Sequence, residues 1–177
     1  MKIKKIVYGV LVVVILTIVG YGLFVLKQST IPSESEFNLI FKYDVGAKNE
    51  LNTFKGTYTK DMVLDPSITV NLSLSKEELH KILQKMIKID FFNYPDKFSV
   101  FVPPGKVVYR TIHYSSYYFK VEYDSKIKEI WWKNDIPIMI NEDKKAKKLI
   151  ELINLIINII ESKEEYKKLP EPRGGYL

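Results

Sequence analysis

The chain contains no cysteine, so no disulfide can staple it and no thiolate can act as nucleophile or metal ligand. A lipid-modified N-terminal cysteine is excluded for the same reason. Histidine is almost absent too: there are two, His80 and His113. A helical zinc pair would need a second ligand one turn after His80, and position 84 is glutamine. Arginine is limited to Arg110 and Arg173, although guanidinium forks are the usual readers of phosphates and base edges. The eight glycines form neither a phosphate-cradling loop nor a Gly-x-Ser-x-Gly elbow. No metal and no cofactor is expected from these residues.

Charge is missing altogether from Ile6 to Leu26, a run of 21 residues. A helix of that length rises about 31 Å, enough to cross a hydrocarbon core of about 30 Å. The run is apolar all round, whereas a core helix of a globular domain keeps a polar stripe. Lys2, Lys4 and Lys5 precede it and only Lys27 follows closely, so the N-terminus is predicted to stay in the cytoplasm. The alternative is a secretion signal cleaved after Ser29 or Thr30, although its apolar region would normally be shorter. Both readings place the remainder outside the cytoplasm. The expected organisation is a cytoplasmic N-terminus at 1–5, a transmembrane helix at 6–26 and a linker at 27–36. An extracytoplasmic domain at 37–170 and a tail at 171–177 follow.

This topology changes the meaning of the basic balance. The net charge is +6, but four of the 27 basic residues flank the membrane run and all 21 acidic residues lie beyond it, which leaves the exported part at +2. A nucleic-acid partner is therefore not expected. "KKAKK" (Lys144–Lys148) opens a helix where the dipole disfavours cations, and reads as a solubilising surface.

Hydrophobic periodicity divides the exported part into blocks. "FNLIFKY" (37–43) and "SITVNLSL" (67–74) alternate with period two, and "TFKGTYTKDMV" (53–63) reads as a strand between them. "SKEE" at Ser75–Glu78 is a capping box, followed by Leu79, Ile82, Leu83, Met86 and Ile87 as one helical stripe. "FSVFVPPGKVVYRTI" suggests two strand-like runs around a Pro-Pro-Gly turn. "YYFKVEYDSKIKEIWWK" reads as a hairpin reversing at Asp124-Ser125. Asn141 is the expected cap of a last helix that runs to Pro170 and is over-rich in apolar residues between Leu149 and Ile160. Strands and helices in blocks predict an α+β domain, an antiparallel sheet of about five to six strands with two helices on one face.

"LNTFKGTYTKDMV", "KIDFFNYPDKF" and "YYFKVEYDSKIKEIWW" resemble an uncharacterised family of small membrane-anchored extracytoplasmic proteins of Gram-positive bacteria. The likeness spans about residues 37–140. It implies an anchored domain of this kind and supplies no activity, cofactor or site.

Chemistry-bearing residues are few. His113 has no acidic neighbour in sequence, so a hydrolase would need a distant carboxylate to orient it. Asp61, Asp65, Asp90 and Asp96 sit where aspartate caps or turns the chain, and none marks a glycosidase pair. Aromatic residues are the denser signal: Tyr114, Tyr117, Tyr118, Phe119, Tyr123, Trp131 and Trp132 crowd the hairpin. Period two must turn some of these away from the core, and Tyr118, Trp131 and Trp132 are the candidate binding positions. The expectation is a membrane-anchored binding or interaction module for an envelope protein, a peptide or a glycan. An envelope hydrolase using His113 and a structural partner packing through the last helix are the alternatives.

Overall fold

The computed structural model describes residues 37–176. The expected cytoplasmic segment, membrane helix and linker (1–36) and Leu177 lie outside the described residues. No helix within the described residues is long and apolar enough to cross a membrane.

The described residues open with four strands, β1 (Asn38–Tyr43), β2 (Asn49–Asn52), β3 (Thr57–Met62) and β4 (Asp65–Asn71). Helix α1 (Lys76–Lys88) and the two-residue strand β5 (Lys97–Phe98) follow. The long hairpin β6 (Ser116–Tyr123) and β7 (Lys126–Lys133) leads into α2 (Lys144–Ser162) and the short α3 (Glu164–Lys167). All seven strands form one sheet in the order β4-β3-β2-β1-β6-β7-β5. The fold is α+β, as the blocks of strands and helices predict. The sheet departs from the expectation in being mixed, because β5 runs parallel to β7 while every other pair is antiparallel.

The departures have local causes. "NELN", which carries no strand alternation of its own, forms β2, because Leu51 is apolar and sits opposite Phe41. The second expected strand loses its first residues to a turn at Thr53–Gly56, where Gly56 takes a φ of +61°. Of the runs around Pro-Pro-Gly, only Lys97–Phe98 joins the sheet; Pro103 and Pro104 have no amide proton for a ladder, and 99–115 passes as an ordered loop. In α1 the capping box forms and Ile82, Leu83 and Met86 are buried, but Ile87, expected in the stripe, is exposed. The cap of α2 is Asp143 rather than Asn141, its carboxylate accepting from the amides of Lys145 and Ala146 at 2.8 and 3.1 Å. The helix ends at Ser162, well before Pro170, because Lys163 turns to an extended ψ of 140°.

One face of the sheet carries the core. Leu39, Phe41, Leu51, Tyr58, Phe119, Val121 and Ile130 point to the same side and meet Ile82 and Met86 of α1 and Leu149, Leu152, Ile153 and Ile156 of α2 in one cluster. The apolar excess of α2 is absorbed by this packing. Ile150, Leu155 and Ile157 are half-buried against the cluster, and its outward positions are Glu151, Asn154 and Asn158. No bare outer stripe is left for the assembly role. With no disulfide, this burial at about 25 cal/mol per Å2 is the main stabilising term. Lys85 of α1 pairs with Glu151 of α2 at 2.7 Å, and Glu78 of the capping box also receives the Lys163 ammonium from the end of α2.

Two outcomes are expected. Ile153→Asp places an unpaired charge in the packed face, costs several kcal/mol, and should abolish the cooperative thermal transition. Partial burial raises the Glu78 carboxyl, but the Lys163 ammonium and the Ser75 amide outweigh it and hold the group below its ordinary value of 4.5. A depressed carboxylate stabilises the fold above pH 4.5, and that contribution is lost as pH falls through the folded value. Chemical denaturation of Glu78→Gln should therefore show lower stability at neutral pH and a shallower loss on acidification than the native chain.

Candidate binding surface

The β6–β7 hairpin sorts the aromatic residues by period two. Asp124 and Ser125 both take positive φ (51° and 57°), the two-residue turn whose twist suits a right-twisted hairpin. That turn fixes the register: Tyr117 lies opposite Trp132, and Tyr118 opposite Trp131. Trp132 therefore enters the core, 1% exposed, with Tyr117 at 5.3 Å and Phe98 edge-on at 5.2 Å between ring centres. It is unavailable as a platform. Its indole nitrogen has no hydrogen-bond partner among the described residues.

Trp131 faces the other way. It is 49% exposed and stacks on Tyr118 with ring centres 4.5 Å apart. Burial and the Glu129 carboxylate, which accepts from its hydroxyl, raise the Tyr118 phenol and keep it neutral. The row continues on both sides through Lys42, opposite Tyr118 and paired with Glu50 at 2.9 Å, and through Lys97, opposite Trp131 on β5. Of the three candidate positions, the structure brings Tyr118 and Trp131 together on the open face and assigns Trp132 to the core.

Beyond the ends of these strands the loop 99–115 folds back. Val45 bridges Ser115, the Ser116 amide donates to the Asp44 carbonyl at 2.9 Å, and the Asn134 amide donates to the Ser115 carbonyl at 3.0 Å. Further along, the Thr111 amide donates to the Asp135 carbonyl at 2.8 Å, Arg110 pairs with the Asp135 carboxylate, and Lys106 pairs with Glu142. The Phe101 amide donates to Asp143 at 2.8 Å. The loop is thus held at many points, with Val100 buried in the core and Val102 and Val108 against it, yet it turns four apolar side chains outward: Phe101, Val107, Tyr109 and Ile112 are 67%, 80%, 86% and 87% exposed. Ile138 joins them. A pocket of about 400 Å3 lies between Val45, Gly46, Ile112, Tyr114, Ser116, Trp131 and Lys133. A second, of about 350 Å3, lies against Val107, Tyr109, Pro137 and Ile138. In the sequence this stretch reads as two strand-like runs, and nothing local shows that most of it stays out of the sheet.

His113 sits at the loop's exposed bend, lines neither pocket, and has no carboxylate hydrogen-bonded to it among the described residues. Among the described residues no group of three or more histidine, aspartate or glutamate side chains could hold a metal ion.

A polar recess that sequence reasoning passed over lies at the far edge. Lys60 of β3 is 5% exposed; its ammonium donates to the Pro170 carbonyl at 3.0 Å and lies 5.0 Å from the centre of the Tyr166 ring. The Tyr43 and Tyr58 hydroxyls are hydrogen-bonded at 2.7 Å, and burial raises both phenols far above their ordinary range. Around this recess of about 180 Å3 the segment 170–176 is fastened to the sheet edge. Arg173 clamps Asp65 and bridges to Val63, and the Tyr176 hydroxyl donates to Asp61. The signal was present: Lys60 shares the phase of Tyr58 and Met62, the inward face of β3. The arrangement reads as a tie that secures the tail, since each of these groups is engaged by another part of the chain.

No family model and no curated protein matches the sequence, so the geometry is the ground for the function.

The two tryptophans give a direct check of the face assignment. Trp132→Ala should cost about 3–5 kcal/mol in urea denaturation, whereas Trp131→Ala should cost about 1 kcal/mol or less. Equal losses would mean that the register is wrong.

Proposed function

We propose that the chain is a single-pass, membrane-anchored binding module, held by residues 6–26 with its α+β domain outside the cytoplasm. Its interaction surface is the end of the sheet where Trp131 and Tyr118 meet the loop 99–115. One observation carries this reading: the loop is pinned by main-chain hydrogen bonds and ion pairs while Val107, Tyr109 and Ile112 remain open to solvent. A loop that could bury those side chains by relaxing would do so; a fixed one that keeps them outward supports a partner surface. Trp131 adds a rigid aromatic anchor beside it, the residue type most enriched among binding hot spots. The uncharged run and its leading lysines support the anchor and its orientation.

The test is site-directed photo-crosslinking in intact cells with the full chain. A crosslinker at Ile112 or Tyr109 should give a discrete adduct that one at Gln84, on the exposed side of α1, does not. Trp131→Ala should weaken the Ile112 adduct without lowering the thermal midpoint by more than a few degrees. Equal adducts from all three positions, or none, would overturn the reading. Resistance of the domain to protease added outside intact cells would overturn the location.

A further inference from the structure

We infer that the pocket beside Trp131 takes an acidic peptide segment of a partner protein, one carrying an apolar side chain flanked by carboxylates. This rests on the binding surface proposed above and names its ligand chemistry.

The lining has two parts. Val45, Ile112, Tyr114 and Trp131 give an apolar wall, and Lys133 stands at its rim. Lys97 lies directly beside Trp131 in the adjoining strand, on the same face. Both lysines are exposed, and neither forms an ion pair among the described residues. Three neighbouring carboxylates are paired with cations: Glu50 with Lys42, Asp135 with Arg110 and Asp96 with Lys128. Glu129 and Asp44 accept hydrogen bonds from neutral donors and lie outside the lining. The charged group within the lining of the apolar hollow is the Lys133 ammonium, with Lys97 just beyond Trp131. Complementary charge on a partner would steer its approach and fix its register.

The same observations select among anionic partners. The hollow offers a sugar the hydroxyl-bearing Tyr114 and Ser116, but its Val45 and Ile112 wall is better matched by an apolar side chain. Trp131 packs against Tyr118 and the hollow beside it is concave, which suits a side chain better than a bilayer surface.

The experiment uses the full-length chain in neutral detergent and a short synthetic peptide with a Leu-Phe pair flanked on both sides by glutamates. Trp132 is buried, so a change in tryptophan emission on titration reports Trp131. Saturable binding is expected, weakening as sodium chloride rises and falling at least about tenfold in the Lys97→Glu/Lys133→Glu chain. That variant should instead prefer the matching peptide with lysines in place of glutamates. A glutamate-only peptide that binds as tightly, or a charge-reversed chain that keeps native affinity, overturns the inference. So does binding of polygalacturonate or of phosphatidylglycerol vesicles in place of the peptide. If the peptide fails while the Ile112 crosslink persists, this inference falls and the binding module stands; if both fail, both fall.

Discussion

Burial of one sheet face beneath α1 and α2 sets the phase of every strand in this domain. Leu39, Phe41, Phe119 and Ile130 must point toward the helices, and a strand has only two faces, so their immediate neighbours are forced outward. Trp131 is on the open face because Ile130 and Trp132 are not. With no covalent staple in the chain, this packing and the two-residue turn at Asp124-Ser125 are what keep β7 from slipping by one residue, a slip that would exchange the two indoles. The proposed binding surface is therefore a by-product of core packing.

Much of the architecture was legible before the structure. The capping box at Ser75, the alternation of 37–43 and the hairpin reversal at Asp124-Ser125 are local signals, readable because each is fixed by neighbours in sequence. The missing pieces depend on distant partners. β2 is four residues long and has a strand identity only because β1 and β3 flank it. The parallel pairing of β5 needs β7, which lies more than thirty residues later. Asp143 displaces Asn141 as cap because it also serves the Phe101 amide, a contact no local pattern contains.

The candidate site divides the same way. Tyr118 and one tryptophan on the open face follow from period two, but which tryptophan does not, since adjacent identical residues leave the phase to the partner strand. Tyr118 opposite Trp131 decides it. The strand-like runs of the loop 99–115 find no ladder, so only the pinning contacts reveal that its outward apolar residues are held in place. Lys60 was a charged residue in an inward phase and would have drawn attention if the alternation of β3 had been trusted over its charge.

The tie between Lys60 and the Pro170 carbonyl joins positions 110 residues apart. During synthesis β1 to β4 emerge early, yet the lid of their apolar side, α2, and the oxygen that satisfies the Lys60 ammonium emerge close to the finish. The first strands must therefore wait, uncovered, while most of the polypeptide is still being made. Folding of this domain is consequently an event of its whole length, completed only when the last helix and the tail are available.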